Sequence, residues 1–290
     1  MKSIFPFKPV ARAFRRPPSA AFWVIIPLLF LAIFFLAPMV SLVSLSLRAP
    51  EGGITWQYYG SILSQPVYRT TFVRSINLSI QCTLITLLVG YPFAYILTRL
   101  KSTWQTLLLV LVIIPLLLNL LASSFAWIVM FQRKGVMNWL LLSLHVIDQP
   151  LSLLFTQGAT LTGMVYVLLP LMILPVFSSL IHIEDAYEEA GRLLGATPWA
   201  VFWKITLPLS APGIVAGGLL VFIASFGLYL VPELLGGPAF TLLPYLIQQQ
   251  TLQFLNWPAA AALSLILVAA IIPALVLLQH ITASLTEPGT

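Results

Sequence analysis

Half of the acidic residues of this chain lie in one stretch of six positions. The sequence contains 8 Asp and Glu residues, and four of them belong to this stretch: Glu184, Asp185, Glu188 and Glu189. Glu188 precedes Arg192 by four residues, a spacing that pairs opposite charges on one face of a helix. Ionised side chains are costly to place in lipid. The chemistry that these groups offer is therefore ion pairing on a short, water-exposed helix.

The same segment continues into a turn and a second short helix. Gly195 is expected to end the first helix, and Thr197 followed by Pro198 supplies an N-cap and a first-turn proline for a second helix through Ile205. Large apolar side chains then follow near the surface: Trp199, Phe202 and Trp203. Exposed aromatic residues are typical of a docking face. An amphipathic helix resting on lipid headgroups would have the same composition, so both interpretations stay open.

A second group of residues could bind a cation inside the membrane. Apart from the four acids above, Glu233 is the one acidic residue in or beside a long apolar run. Intramembrane carboxylates often mark the path of an ion or substrate, and aromatic faces attract cations. The aromatic candidates are Phe226, Tyr229, Tyr166 and Trp127. The competing interpretation is an acid at a helix end, with the rings in ordinary packing or in a headgroup belt.

These residues stand in a chain whose composition is that of a membrane protein. Of its 290 residues, 60% are hydrophobic and 8% are charged, whereas soluble domains carry about 25% charged residues. Apolar runs long enough to span a bilayer predict an all-α membrane protein with about six transmembrane helices, at roughly 21–47, 72–98, 106–131, 157–181, 210–235 and 258–282. The expected organisation is a basic segment 1–20, a transmembrane domain 21–283 that includes a helical loop at about 182–209, and a tail 284–290.

The distribution of basic residues predicts the orientation. The net charge is +6, which in a membrane protein reports topology better than it reports nucleic-acid binding. With a cytoplasmic N-terminus, nine Lys and Arg fall on the cytoplasmic side and five on the other. Both termini are therefore expected in the cytoplasm, with no nucleic-acid partner. The charge-free connection 236–257 is expected to fold back toward the membrane or to face a water-filled cavity.

Several kinds of chemistry find no support in the sequence. Cys82 is the single cysteine, so a metal site built on thiolates is not expected. No Gly-x-x-x-x-Gly-Lys-[Ser/Thr] motif occurs, so a P-loop cannot bind ATP here. We expect no metal, no cofactor and no catalytic residue. A carrier working alone would need coupling acids deep in several spans, and only Glu233 approaches that position.

The spacing of the helical loop resembles a family signature. Glu189-Ala190-Gly191, three residues, Gly195, nine residues and Ile205-Thr206-Leu207-Pro208 are similar to the EAA loop of ABC importer permeases, with Gly191 in place of the third small residue. Over roughly 21–283 the chain also resembles the spermidine/putrescine transporter permeases. Further segments carry that second resemblance: 135–138, Tyr166-Val167-Leu168-Leu169-Pro170 and the run from Val231 to Pro238.

The resemblance implies a type I ABC importer permease of the bacterial inner membrane, itself non-catalytic. It implies that the loop docks on a cytoplasmic ATPase dimer through Glu188, Glu189, Ala190, Gly191, Gly195, Trp199, Phe202, Ile205 and Pro208. A second homologous permease and an extracytoplasmic solute-binding protein are the other implied partners. The implied substrate is a polyamine. The alternatives are another small solute, such as an opine, an amino-acid derivative or an anion, and, less favoured, a stand-alone secondary transporter.

Overall fold

A computed structural model of the chain describes residues 25, 27–49, 52–237 and 240–286. Within these ranges the chain is helical, and the only extended pairing is a single antiparallel bridge between Arg48 and Ile54. In chain order the helices are α1 Pro27–Ser46, α2 Gln57–Ser64, α3 Pro66–Thr98, α4 Ser102–Leu117, α5 Leu120–Phe131, α6 Val136–Ser143, α7 Gln157–Ile181, α8 Asp185–Leu193, α9 Pro198–Leu209, α10 Ala211–Gly227, α11 Leu230–Gly236, α12 Leu243–Leu252 and α13 Trp257–Thr286.

Three helices form the centre of the bundle. Helices α3, α7 and α10 pack against one another, and Met172, Ile173 and Val176 of α7 are fully buried between them. The backbones approach closely because small residues lie at the contact, as is usual between membrane helices. A Cβ on Gly217 of α10 would lie 3.0 Å from the carbonyl oxygen of Met172. Elsewhere on α3, large apolar side chains such as Leu88 point outward, as expected for a surface that faces lipid.

The remaining long helices surround this centre. Helix α13 packs against α1, α10 and α12, and α11 lies across α5 and α7. A second, smaller apolar cluster joins α2, α12 and α13 through Ile62, Leu246 and Leu263. The charge-free connection 236–257 therefore folds back onto the bundle, where it forms α12.

The prediction of an all-α membrane protein is confirmed. Among the described residues, α1, α3 and α7 are long and apolar enough to cross a membrane. The number is up to five if each of two bent helix pairs is counted as one span: α4 with the segment Leu120–Ser143, and α9 with α10. The last predicted run, 258–282, lies within α13, and the segment Trp257–Pro273 of this helix is apolar. Two of the predicted apolar runs are each divided into two helices.

The run 106–131 is broken rather than continuous. Helix α4 ends at Leu117, and the chain turns by 99° before the next helical segment. Pro115 removes a backbone donor from the last turn of α4. Asn119 then caps α5, because its side-chain oxygen accepts hydrogen bonds from the amides of Leu121 and Ala122 at 2.8 and 3.3 Å. The run 210–235 is broken in a similar way between α10 and α11.

Candidate functional site

The helical loop predicted at 182–209 consists of α8, a tight turn and α9. Gly195 has φ +83°, and the turn is a Schellman motif in which the amide of Gly195 donates to Arg192 at 2.9 Å and that of Ala196 donates to Gly191 at 3.0 Å. Thr197 caps α9, since its Oγ1 accepts from the amide of Ala200 at 3.3 Å. The predicted helix–turn–helix, with its break at Gly195, is confirmed.

One face of the loop presents apolar side chains to its surroundings. Leu193 and Leu194 are each 88% exposed, and Trp199 is 70% exposed. We call these three residues the loop tip. Two leucines and a tryptophan with this exposure are unusual on a protein surface that faces water. Such apolar patches commonly mark an interaction site. Neither leucine is among the docking residues that the sequence implied, although consecutive leucines just before a helix-ending glycine were a visible signal.

The residues implied for docking divide between the two faces of the loop. Glu189, Ala190, Gly195 and Trp199 are exposed, and so is Pro208. Trp203 is exposed as well. The other implied residues face inward: Glu188, Gly191, Phe202 and Ile205. The implied docking residues therefore form two groups, an exposed outer surface and an inner set that faces the bundle. The sequence spacing did not distinguish the two groups.

The inner set attaches the loop to the transmembrane bundle. The Phe202 ring packs edge-on against the rings of Tyr91 and Tyr95 of α3, with centroids 6.0 and 5.6 Å apart. The hydroxyl of Tyr91 lies 3.0 Å from that of Ser210, at the junction of α9 and α10. Phe202 is therefore only partly exposed, unlike its neighbours Trp199 and Trp203, because this ring packs between the loop and α3.

Glu188 occupies the centre of the inner set and is only 7% exposed. Its Oε1 accepts hydrogen bonds from Arg99 Nη2 at 2.5 Å and from Thr206 Oγ1 at 3.0 Å. Its Oε2 lies 3.6 Å from Arg192 Nη2, which confirms the predicted pair on α8. Burial alone would lower the pKa of Arg99, but the hydrogen bond and charge of Glu188, with a smaller contribution from Tyr95, raise it above its usual value. The Arg99 contact spans 89 positions and could not be found from local spacing.

Glu233 and Tyr229 line a cavity of about 190 Å³ at the other candidate site. Phe240 and Tyr245 complete its aromatic walls, and Thr241 adds a hydroxyl group. The two further rings come from the connection that folds back as α12, so the sequence analysis missed them. Within the described residues, the Glu233 carboxylate forms no ion pair, and the cavity combines one acid with three rings.

The other aromatic candidates lie elsewhere. Phe226 is 1% exposed and packs against Phe72 and Phe222, with ring centroids 6.3 and 6.0 Å away. Trp127 and Tyr166 form an edge-on pair at 5.5 Å beside a separate, mostly apolar cavity of about 300 Å³. The structure therefore groups Glu233 with Tyr229 and, separately, Trp127 with Tyr166, whereas Phe226 lies in neither group.

The fold is that of the permease subunits of type I ABC importers. A chain of the crystal structure of a bacterial ABC transporter involved in the import of the acidic polysaccharide alginate superposes with a TM-score of 0.74, at 16% sequence identity, over 93% of this chain and 97% of that one. A second crystal structure, of a bacterial alginate ABC transporter in complex with an alginate pentasaccharide-bound periplasmic protein, superposes with a TM-score of 0.75 at 16% sequence identity, over 93% of this chain and 96% of that one.

Sequence comparison gives the family. The model of the binding-protein-dependent transport system inner membrane component matches residues 87–287. The spermidine/putrescine transport system permease protein PotB of Escherichia coli (strain K12) is 39% identical over 222 residues, which cover 77% of this chain and 80% of the relative. The protein of the same name from Haemophilus influenzae is 34% identical over 241 residues, covering 81% and 84%. The chain belongs to the family of inner membrane components of binding-protein-dependent transport systems, as a multi-pass permease subunit.

Proposed function

We propose that this chain is one of two permease subunits of an ATP-driven importer of polyamines such as spermidine and putrescine. The observation that carries the substrate assignment is the cavity in which Glu233 lies among three aromatic side chains. A polyamine is a chain of ammonium groups joined by methylene segments. A carboxylate offers charge to the ammonium groups and ring faces offer cation–π contacts, while the same rings accept the methylenes. Two relatives, which are 39% and 34% identical to this chain, are named as spermidine/putrescine transport system permeases.

The cavity also has the properties of a transit site rather than of a tight receptor. It is partly open, and its single acid provides one strong contact to a substrate that carries several charges. A transport pathway has to bind its substrate weakly enough to release it. Selection among solutes is assigned to an extracytoplasmic binding protein, which would deliver the polyamine to the outer mouth of the two permeases.

Energy is assigned to a separate ATPase dimer that binds the loop tip. Leu193, Leu194 and Trp199 expose apolar surface on a segment that also carries four acids, which is a poor composition for insertion into lipid. Covering such a patch with a protein groove removes it from water and stabilises the complex. The loop and both termini are then cytoplasmic, in agreement with the positive-inside distribution.

Reconstitution of the complete transporter tests this function. The complex of both permeases and the ATPase, in vesicles with ATP on the ATPase side and binding protein on the other, is expected to accumulate labelled spermidine or putrescine. The matched control is the purified chain alone in the same vesicles, which is expected to bind no nucleotide and to transport nothing. Uptake by the isolated chain would make it a stand-alone carrier.

The substrate is tested by competition in the same vesicles. Unlabelled polyamines should abolish uptake of the labelled ones, whereas an opine, a neutral amino-acid derivative and an oxyanion should leave it unchanged. A transporter that is stimulated by one of these other solutes, and not by polyamines, would retain the importer assignment and refute the polyamine assignment.

A further inference from the structure

The cytoplasmic end of α3 is attached to both halves of the loop by one buried carboxylate. Arg99 follows the last residue of α3, Glu188 belongs to α8 and Thr206 belongs to α9. The same oxygen of Glu188 accepts from Arg99 at 2.5 Å and from Thr206 at 3.0 Å. We call these three residues the clasp. Charge-assisted hydrogen bonds of this kind are among the strongest that side chains form.

The clasp is held in place by the surrounding aromatic side chains. The guanidinium of Arg99 lies 5.1 Å from the centre of the Tyr95 ring, and its Nη2 also donates to the Tyr95 hydroxyl at 3.3 Å. Tyr95 in turn packs against Phe202 of the loop. The orientation of Arg99 is therefore fixed from two sides, by Tyr95 and by Glu188.

This arrangement restricts how the loop can move. Helix α3 belongs to the central group with α7 and α10, which pack along their lengths. A displacement of the loop must either carry the end of α3 with it or separate Glu188 from its partners. Separation leaves a carboxylate that is only 7% exposed without its hydrogen bonds, which is unfavourable. Movement of α3 together with the loop is the less costly outcome.

We propose that Glu188 is a positioning residue that makes α3 follow the loop during each transport cycle, and that it does not contact the ATPase. The proposal rests on the proposed function of the loop as the ATPase docking element. The loop tip binds the partner, and the clasp transmits the movement to the bundle. Without the clasp, the loop still docks and ATP is still hydrolysed, but the pathway between the permeases opens less often per ATP.

Substitution of Glu188 by glutamine in the complete transporter tests the proposal. Glu188→Gln keeps the size of the side chain and removes its charge. The Arg99 side chain is 43% exposed, so it can be hydrated when released, and the variant is expected to fold. The loss of a charge-assisted contact predicts about a tenfold or larger fall in substrate transported per ATP hydrolysed. Co-purification with the ATPase should be unchanged.

Arg192→Gln is the matched control, because Arg192 approaches the other oxygen of Glu188 at 3.6 Å from a side chain that is 59% exposed. This variant should transport as much substrate per ATP hydrolysed as the parent, since exposed pairs of this kind contribute little.

A double-mutant cycle completes the design. Arg99→Gln alone, and Arg99→Gln with Glu188→Gln, should each resemble Glu188→Gln, because all three remove the same ion pair.

The outcomes separate the clasp from the docking function. A parent complex without ATP-driven uptake would refute the proposed function itself, and Arg192→Gln would then be equally inactive. A Glu188→Gln complex with the parent ratio of transport to ATP would refute the positioning role alone. So would loss of ATPase co-purification, which would place Glu188 at the docking surface, or a double variant in which the two losses multiply.

Discussion

A Cβ atom at Gly191 would lie 2.7 Å from Cδ1 of Ile205, so α8 and α9 touch at a position that has room for hydrogen only. The EAA signature that this loop resembles has alanine at this position. The present chain combines a glycine on one helix with a long side chain on the other. Because this contact is with the flexible end of the Ile205 side chain, Ile205 can make room for a methyl group at position 191, but a larger side chain must separate the two helices.

The effect of replacing Gly191 on transport is therefore expected to depend steeply on the size of the new side chain. Gly191→Ala should transport at close to the parent rate, since Ile205 can rotate its terminal methyl group away. Gly191→Leu should overpack the contact at a cost of about 1–3 kcal/mol and reduce uptake strongly. Thermal unfolding of the purified transporter and uptake into vesicles measure the two effects. Equal activity of Ala and Leu variants would show that the two helices separate without consequence.

Substitution at Gly195 tests the turn between the helices. Its φ of +83° is unfavourable for side-chain-bearing residues, and no atom lies within 4 Å of the Cβ position, so the cost is purely conformational. Gly195→Val should cost at least about 1–2 kcal/mol and stall transport while uncoupling ATP hydrolysis. Gly195→Asn is the control, because asparagine tolerates this conformation and should keep most of the activity. A fully active valine variant would show that the turn has no functional role.

The sequence was sufficient for the features that local chemistry determines. The break at Gly195, the Thr197 cap and the pair of Glu188 with Arg192 depend on residues a few positions apart, and the structure contains all three. Apolar runs identified the membrane segments for the same reason. The bond between Arg99 and Glu188 depends instead on how α3 packs beside the loop. No local pattern encodes that distance.

The cavity around Glu233 illustrates the same limit. Tyr229 is one helical turn from Glu233, so the sequence could associate the two. Phe240 and Tyr245 reach the cavity only because the charge-free connection folds back as α12. Composition predicted that this connection folds back or faces a cavity, but it did not indicate which rings line the cavity. Phe226 was selected for its nearness in sequence, and it lies in the packed core instead.

Removal of the apolar loop tip should weaken assembly with the ATPase. Leu193→Ala with Leu194→Ala removes two side chains that are 88% exposed in the free chain. Burial of one leucine contributes about 1.5–3 kcal/mol, so the double variant should bind the ATPase at least about tenfold more weakly. Leu252→Ala, an exposed leucine on α12, is the matched control. Co-purification at the parent level would assign the leucines to the headgroup region and exclude them from the docking surface.

Replacement of Glu233 tests the polyamine assignment most directly. Glu233→Gln keeps the shape of the side chain and removes the one acid of the cavity. Loss of a charge-assisted contact, worth about 1.5–3 kcal/mol, should lower uptake at sub-saturating substrate by about tenfold or more. Glu233→Asp should keep part of the activity, because it preserves the charge at a shorter reach.

The matched control for that replacement is Asp148→Asn, which removes the same charge from an exposed position outside the cavity. It should leave uptake unchanged. The measurement is the initial rate of labelled putrescine and spermidine uptake, with the amount of each variant in the membrane determined in parallel. Spermidine carries one more ammonium group than putrescine. If the carboxylate contacts a single ammonium group at a time, both uptake rates should fall in Glu233→Gln. Parent rates for both substrates in Glu233→Gln would remove this cavity from the pathway and, with it, the physical support for a polyamine substrate.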